Sequence, residues 1–124
     1  MSEATNMVTE FHHAFGLAVG SEDTAELRAL RATLLIEETD EVADALEFEE
    51  LQAVAKELAD VVYVAYGAAV SLGINLDEAL RRVHASNMSK LNDDGSVSYR
   101  SDGKVLKSDR YEAPDMSGLT RTAA

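Results

Sequence analysis

The 124-residue chain contains no cysteine and no tryptophan, and only 11 of its residues are basic. Without cysteine, disulfide bonds and thiol chemistry are excluded, and a reducing compartment is compatible with the sequence. The formal net charge of −12 argues against nonspecific binding to a nucleic-acid polymer, because basic side chains drive such binding. Aromatic residues are also few, so the sequence leaves any base-binding pocket unspecified.

Long apolar segments are missing as well. The most apolar stretch, residues 61–72, is too short to span a bilayer, and no basic segment followed by a long apolar one marks the amino terminus. We therefore expect a soluble, cytoplasmic protein without a membrane partner. The length predicts one domain with a modest core. Residues 1–91 form its predicted helical part, and residues 92–124 form a C-terminal loop or tail.

Helical spacing of apolar residues predicts an all-α fold. The predicted helices cover about residues 6–18, 25–48, 50–72 and 76–89. The short connection between the second and third helices makes them antiparallel. After Leu91, turns rich in glycine and aspartate predict an irregular tail or a short hairpin.

Carboxylates interrupt the apolar faces of the second and third helices. Glu57 and Asp60 face small apolar side chains, and steps of three and four define a core stripe on the helix before them: Leu27, Leu30, Leu34, Glu38, Glu41 and Ala45. Buried carboxylates are costly unless a cation neutralises them, and hard divalent cations favour oxygen ligands. The four acids therefore predict a metal site. A solvated acidic face is the alternative, and it fits the acids off the stripe.

Two acidic motifs in this order carry a resemblance. Glu37-Glu38-x-x-Glu41, followed by Glu57-x-x-Asp60, resembles the signature of the all-α nucleoside triphosphate pyrophosphohydrolases, which include MazG proteins, dimeric dUTPases and phosphoribosyl-ATP pyrophosphohydrolase. Later segments resemble small stand-alone MazG-like proteins: His84-x-x-Asn87-x-x-Lys90, Asp102-Gly-Lys-Val-Leu-Lys107, Tyr111 and Pro114-Asp115. The resemblance implies a MazG-like bundle of about four helices, completed by oligomerisation as a homodimer or homotetramer.

This resemblance also implies an activity, the metal-dependent hydrolysis of a (deoxy)nucleoside triphosphate to the monophosphate and pyrophosphate. Two or more Mg²⁺ or Mn²⁺ ions per site are expected, with Glu38, Glu41, Glu57 and Asp60 as their ligands. Glu37 is the candidate for orienting or deprotonating the attacking water, with Glu38 beside it as a catalytic residue. The resemblance favours a purine deoxynucleotide such as dGTP and then dUTP, and guanine, adenine and uracil all remain open.

Charge is unevenly distributed along the chain. Residues 1–80 hold 17 acids and 3 basic residues, a net of −14, whereas residues 81–124 hold 6 acids and 8 basic residues, a net of +2. The tail is therefore expected to act at the active site and to bind phosphate through Lys104, Lys107, Arg110 and Tyr111. The resemblance adds Asn87 and Lys90, at the end of the fourth helix, as further phosphate-binding candidates, and it implies that Asn87 could also complete the metal coordination. Without the resemblance, a solvated end of the fourth helix explains Asn87 and Lys90 equally well.

The first helix holds the predicted base-binding residues Phe11, His12 and Phe15. Taken alone, the two phenylalanines are predicted core residues, and the resemblance is what makes this helix a wall of the base pocket. Three alternatives to hydrolysis of a purine deoxynucleotide remain open. Two share the fold, a dUTP or dUDP hydrolase and phosphoribosyl-ATP pyrophosphohydrolase. The third is a noncatalytic helical interaction module whose acids bind partners or calcium.

Overall fold

The computed structural model describes residues 1–120, and within them the chain forms four helices and no extended strand. The helices are α1 (Glu3–Ala14), α2 (Ala25–Phe48), α3 (Leu51–Leu72) and α4 (Leu76–Met88). The all-α prediction is confirmed, and α2 and α3 begin and end within one residue of their predicted bounds. Among the helices of residues 1–120, none is long and apolar enough to cross a membrane.

The first helix begins and ends earlier than predicted. The Ser2 hydroxyl accepts a hydrogen bond from the Thr5 amide at 3.1 Å and so caps the amino terminus. At the other end Gly16 has a φ of +69°, and the Leu17 amide donates to the His12 carbonyl at 2.8 Å. This left-handed glycine with a six-to-one hydrogen bond is a Schellman motif, which terminates a helix. The prediction of a helix over residues 6–18 is therefore wrong at both ends.

The buried face of α1 also differs from the predicted one. Thr5, Val8 and His12 are buried, whereas Phe11 and Phe15 are 38% and 68% exposed. One residue along a helix turns the side chain by about 100°, so a face chosen one position too early points outward. His12 is held inside because its ring Nδ1 lies 2.9 Å from the Ala18 carbonyl oxygen. The prediction that the two phenylalanines belong to the core is wrong.

The second and third helices form an antiparallel hairpin. Thr24 caps α2 by accepting a hydrogen bond from the Leu27 amide at 3.1 Å. A connection of only two residues, Glu49 and Glu50, turns the chain back, so α3 packs along α2. The left-handed Gly73, with a φ of +70°, ends α3. The other side of α3 contacts α1, which leaves α3 as the central helix of this part of the molecule.

The chain divides into two compact units, residues 1–76 with Thr120, and Asp77–Leu119. The first contains α1 and the helical hairpin. Within the second, Arg82 Nη1 donates to the carbonyls of Asp115 and Ser117 at 2.7 and 2.8 Å. Tyr99 and Val105 form an isolated antiparallel bridge, and no extended strand forms within residues 92–120, which fits the prediction of an irregular tail or a short hairpin. The predicted division of function between residues 1–91 and 92–124 stays a prediction, and its last four residues lie outside the described chain.

Candidate active site

Four carboxylates from the hairpin meet at one point. Each of Glu38, Glu41, Glu57 and Asp60 offers one oxygen, and these four oxygens all lie within 4.8 Å of one another. The spacing of three residues on each helix places each pair on one face, and the antiparallel turn brings the two faces together. Opposite oxygens around an octahedral Mg²⁺ are about 4.2 Å apart, so small side-chain movements suffice for coordination.

Two oxygens of this acidic cluster lack partners. Glu38, Glu57 and Asp60 are half-buried, and Glu41 is exposed. Oε2 of Glu38 and Oε2 of Glu57 are buried, and neither accepts a hydrogen bond from any group within residues 1–120. Buried polar atoms are rarely left in this state, because the loss of hydration is then uncompensated. An all-oxygen donor set with unpaired buried lone pairs fits a divalent cation.

Lys56 lies beside the acidic cluster, although it is not among the predicted site residues. Its Nζ is 2.7 Å from Asp60 Oδ2 and 3.5 Å from Glu57 Oε1. The hydrogen bond to Asp60 and the charges of both acids raise the pKa of Lys56. The pair with Asp60 spans four residues of one helix, a spacing that favours contact and is readable in the sequence. Lys56 offsets one of the four carboxylate charges.

Beside the predicted stripe, α2 contains a buried cation that is not among the predicted core or site residues. Arg31 is only 8% exposed, whereas the predicted core residue Leu30 is 51% exposed. The Arg31 Nη2 donates to the Val64 carbonyl at 3.3 Å, and burial lowers the pKa of this guanidinium. A Cβ at position 67 would collide with Nη2, so Gly67 makes room for the side chain. Arg31 stands seven residues before Glu38, a two-turn spacing that the sequence already contains.

An aromatic cluster lies at the surface between α1 and α3. Phe11 stacks on Phe15 with ring centroids 4.5 Å apart, and it meets Tyr63 edge-on at 5.7 Å. Tyr63 follows Asp60 by one helical turn, so the cluster and the acids lie close along α3. Two predicted base-binding residues are therefore brought together, and Tyr63 joins them without having been predicted. The third, His12, is 98% buried behind them, since its exposure is 2%.

The predicted phosphate-binding residues all lie in the second unit. Within it, Lys107 Nζ lies 4.6 Å above the centre of the Tyr111 ring, and Arg110 Nε is 3.5 Å from Asp93 Oδ1. Asn87 and Lys104 are exposed, and Lys90 is half-buried just beyond α4. The structure thus pairs Lys107 with Tyr111, and the phosphate contacts of all six residues stay predictions.

The all-α fold and the acidic cluster of the hairpin agree with the class that the two motifs resemble, the all-α nucleoside triphosphate pyrophosphohydrolases. The sequence model of the phosphoribosyl-ATP pyrophosphohydrolase family matches residues 8–87, more than half of the chain. The chain belongs to that family. The family consists of hydrolases of phosphoric anhydride bonds and is generally metal-dependent. No curated protein matches the sequence.

Proposed function

We propose that this protein hydrolyses a (deoxy)nucleoside triphosphate to the nucleoside monophosphate and pyrophosphate, using Mg²⁺ or Mn²⁺. The observation that supports this best is the acidic cluster, whose four oxygens lie within 4.8 Å and two of whose carboxylates have unpaired buried oxygens. Such oxygens are ready ligands for a hard cation that also binds phosphate. Purine deoxynucleotides, dGTP first, are the substrates that we expect to be preferred.

The acids have separate roles in the proposed reaction. Glu38, Glu41, Glu57 and Asp60 would hold two or more divalent cations, and such cations would supply an acidified water and charge stabilisation at the phosphoryl oxygens. Glu37 is exposed and lies one residue from Glu38, so its side chain points about 100° away around α2. It is therefore free to orient the attacking water and take its proton as the bond to pyrophosphate breaks.

The remaining substrate contacts follow from the chemistry of each group. The exposed rings of Phe11, Phe15 and Tyr63 offer apolar faces on which a nucleobase stacks. Because His12 is buried and its Nδ1 is occupied by the Ala18 carbonyl, we expect it to support this platform rather than to form its outer surface. The predicted phosphate contacts with the departing pyrophosphate come from Asn87, Lys90, Lys104, Lys107, Arg110 and Tyr111.

A homodimer or homotetramer remains part of the proposal. An apolar groove between α1 and α3 supports it, with about 370 Å³ of space lined by Ala4, Met7, Val8, Leu58, Ala59, Val62, Tyr63 and Tyr66. Leu58 and Val62 are 48% and 52% exposed at this groove. Light scattering of the wild type and of Val62→Asp tests the assembly. A monomeric wild type would contradict it.

Phosphoribosyl-ATP is the second candidate substrate, and the family match favours it. Its hydrolysis breaks the same kind of anhydride bond and releases pyrophosphate, so the acidic cluster serves both reactions equally well. The two proposals differ only in what lies beyond the triphosphate. A substrate panel therefore separates them, whereas the geometry of the acids does not.

The test is pyrophosphate release from dNTPs, NTPs and phosphoribosyl-ATP, with Mg²⁺, with Mn²⁺ and with chelator. We expect metal-dependent release with one nucleotide clearly preferred. Glu47→Gln is the matched control, because Glu47 is an exposed acid of α2 outside the acidic cluster. Release from phosphoribosyl-ATP alone would replace the first proposal by the second. No release from any substrate would leave the noncatalytic module as the better reading.

A further inference from the structure

Arg31 is a buried cation without an acidic partner. The first 80 residues contain three basic side chains. Arg28 pairs with Asp23 and Lys56 pairs with Asp60, both at the surface. Arg31 is 8% exposed, and within residues 1–120 no carboxylate lies at ion-pair distance from it. The one buried cation of this region is thus the one whose charge no neighbouring acid offsets.

The polar groups around Arg31 do not account for its burial. Its Nη2 donates to the Val64 carbonyl at 3.3 Å, a long hydrogen bond, and its Nε has no partner among the described residues. That carbonyl belongs to α3, whose helical hydrogen bonding already uses it. A single long hydrogen bond to a shared carbonyl is weak compensation for a buried guanidinium.

The nearest concentration of negative charge along the hairpin is the acidic cluster. Arg31 precedes Glu38 by seven residues on α2, and its acceptor Val64 follows Asp60 by four residues on α3. Seven residues of helix correspond to about 10 Å. Charges that are wholly or partly buried are screened by water less than exposed ones, so an attraction between the buried guanidinium and the half-buried carboxylates of Glu38, Glu57 and Asp60 extends over a distance of this order.

We propose that Arg31 is a positioning residue of the metal site, whose buried guanidinium acts as the fixed counter-charge of the acidic cluster. It holds Glu38 and its neighbours together before cations arrive, and it weakens the binding of cations in the absence of substrate. With four carboxylates, Lys56 and Arg31 together, the site carries a net charge of −2 (four negative and two positive groups). One divalent cation balances this charge, and further cations are then favoured only with the anionic triphosphate. The inference rests on the metal site of the proposed function.

The test is the affinity for Mn²⁺ alone, measured by calorimetry and by the Mn²⁺ electron paramagnetic resonance signal. Arg31→Met removes the charge and keeps an unbranched apolar chain. We expect it to bind Mn²⁺ roughly three- to tenfold more tightly than the wild type, the effect of one charge at about 10 Å in a partly screened site. Arg31→Lys should remain near the wild type. Arg28→Met is the matched control, because it removes a surface charge from the same helix.

The sign of the change separates this role from a purely structural one. If Arg31 only held the helices together, its loss would distort the site and loosen Mn²⁺ binding. Unchanged or weaker binding in a folded Arg31→Met protein therefore overturns the proposal. If that variant does not fold, Arg31→Gln, which can still donate to Val64, takes its place under the same criterion. Failure of both to fold indicates a structural role and also overturns it.

The two proposals can fail separately. Tighter Mn²⁺ binding by Arg31→Met, together with no pyrophosphate release by the wild type, would remove the proposed reaction and leave the counter-charge standing. Pyrophosphate release by the wild type, together with an unchanged Mn²⁺ affinity in Arg31→Met, would support the proposed reaction and overturn the counter-charge role of Arg31. If the wild type binds no Mn²⁺ and Glu38→Gln makes no difference, the metal site itself is contradicted and both proposals fall.

Discussion

The carboxylates of the helical hairpin and those of the C-terminal segment are the same chemical groups in opposite situations. In the hairpin, Glu38 and Glu57 each keep a buried oxygen without a partner among the described residues. In the C-terminal segment, Asp94 accepts from the Ser96 amide at 2.9 Å, and Asp115 accepts from the Ser117 amide at the same distance. The backbone of the C-terminal segment thus satisfies the carboxylates of Asp94 and Asp115, whereas two buried oxygens of the hairpin acids accept no hydrogen bond within residues 1–120.

This difference separates acids that build structure from acids that await a ligand. Asp94 and Asp115 stabilise turns. Hydrogen bonds from the hydroxyl and then the amide of Ser96 lower the pKa of Asp94, and hydrogen bonds from the amide and then the hydroxyl of Ser117 lower the pKa of Asp115. The acids of the hairpin stabilise no turn and cap no helix, and their mutual repulsion opposes the packing of α2 on α3. A group that lowers stability without a structural return is expected at a functional site.

Neutralising the hairpin acids is expected to have the largest effect. Glu38→Gln and Asp60→Asn each keep the size of the side chain and remove the charge that binds a cation. We expect either change to lower the rate of pyrophosphate release by roughly a thousandfold or more, since metal binding and charge stabilisation are both lost. Steady-state kinetics against Glu47→Gln measures this. Activity within tenfold of the wild type in either variant would refute the assignment of the metal ligands.

A bound cation should offset the repulsion among the four hairpin carboxylates and so raise the stability of the folded state. A ligand that binds only the folded state stabilises it by about 2.7 kcal/mol at a hundredfold excess over its Kd, which for a domain of this size raises Tm by about 10 °C. We expect Mn²⁺ or Mg²⁺ to produce this shift and a chelator to abolish it. Glu38→Gln should show little of it. An equal shift in that variant would place the binding site elsewhere.

The convergence of the four hairpin carboxylates can largely be predicted from the sequence. The alternation of three and four identifies Glu38 and Glu41 as charges on an apolar stripe, and the short connection predicts that Glu57 and Asp60 meet them. Both features are local rules of helix geometry, so they do not depend on the rest of the fold. The C-terminal hairpin is similarly signalled by its turn residues.

The errors arise where tertiary packing decides between neighbouring residues. Arg31 and not Leu30 enters the core, because Gly67 on another helix leaves space for its guanidinium. On α1, His12 enters instead of Phe11, since the Schellman turn after α1 presents the Ala18 carbonyl to its ring. Hydropathy alone would bury Leu30 and Phe11. Arg31 and His12 are buried instead because of groups that are distant in sequence or positioned by the turn.

Replacing a carboxylate by its amide should change the free energy of unfolding in opposite directions in the helical hairpin and in the C-terminal segment. Without metal, Glu38→Gln should raise the free energy of unfolding by about 1 kcal/mol, because a buried amide without a full set of partners is less costly than a carboxylate. Asp94→Asn should lower it, because the acceptor of the Ser96 amide becomes weaker. Urea denaturation in chelator measures both. Destabilisation by Glu38→Gln would mean that the attraction of Arg31 for this carboxylate outweighs both the cost of its burial and its repulsion from the other three acids.

The smallest expected effect is that of acid on the C-terminal turns. Protonation of Asp94 and Asp115 should weaken the hydrogen bonds within these turns. The pKa values of Asp94 and Asp115 are lowered from 3.8 by hydrogen bonds that exist only in the folded chain. Their contribution to stability is therefore complete above the unfolded-state pKa and is lost as the pH falls through the folded-state values, below 3.8. Amide hydrogen exchange of Ser96 and Ser117 reports it, because both amides donate to these carboxylates. We expect their protection, normalised for intrinsic exchange rates, to be constant above about pH 5 and to decline below 3.8.

The variant Asp94→Asn is the control. In this variant the decline at Ser96 should disappear, while that at Ser117 remains. A decline that persists at Ser96 would show that the turn is lost through global unfolding and not through its own carboxylate.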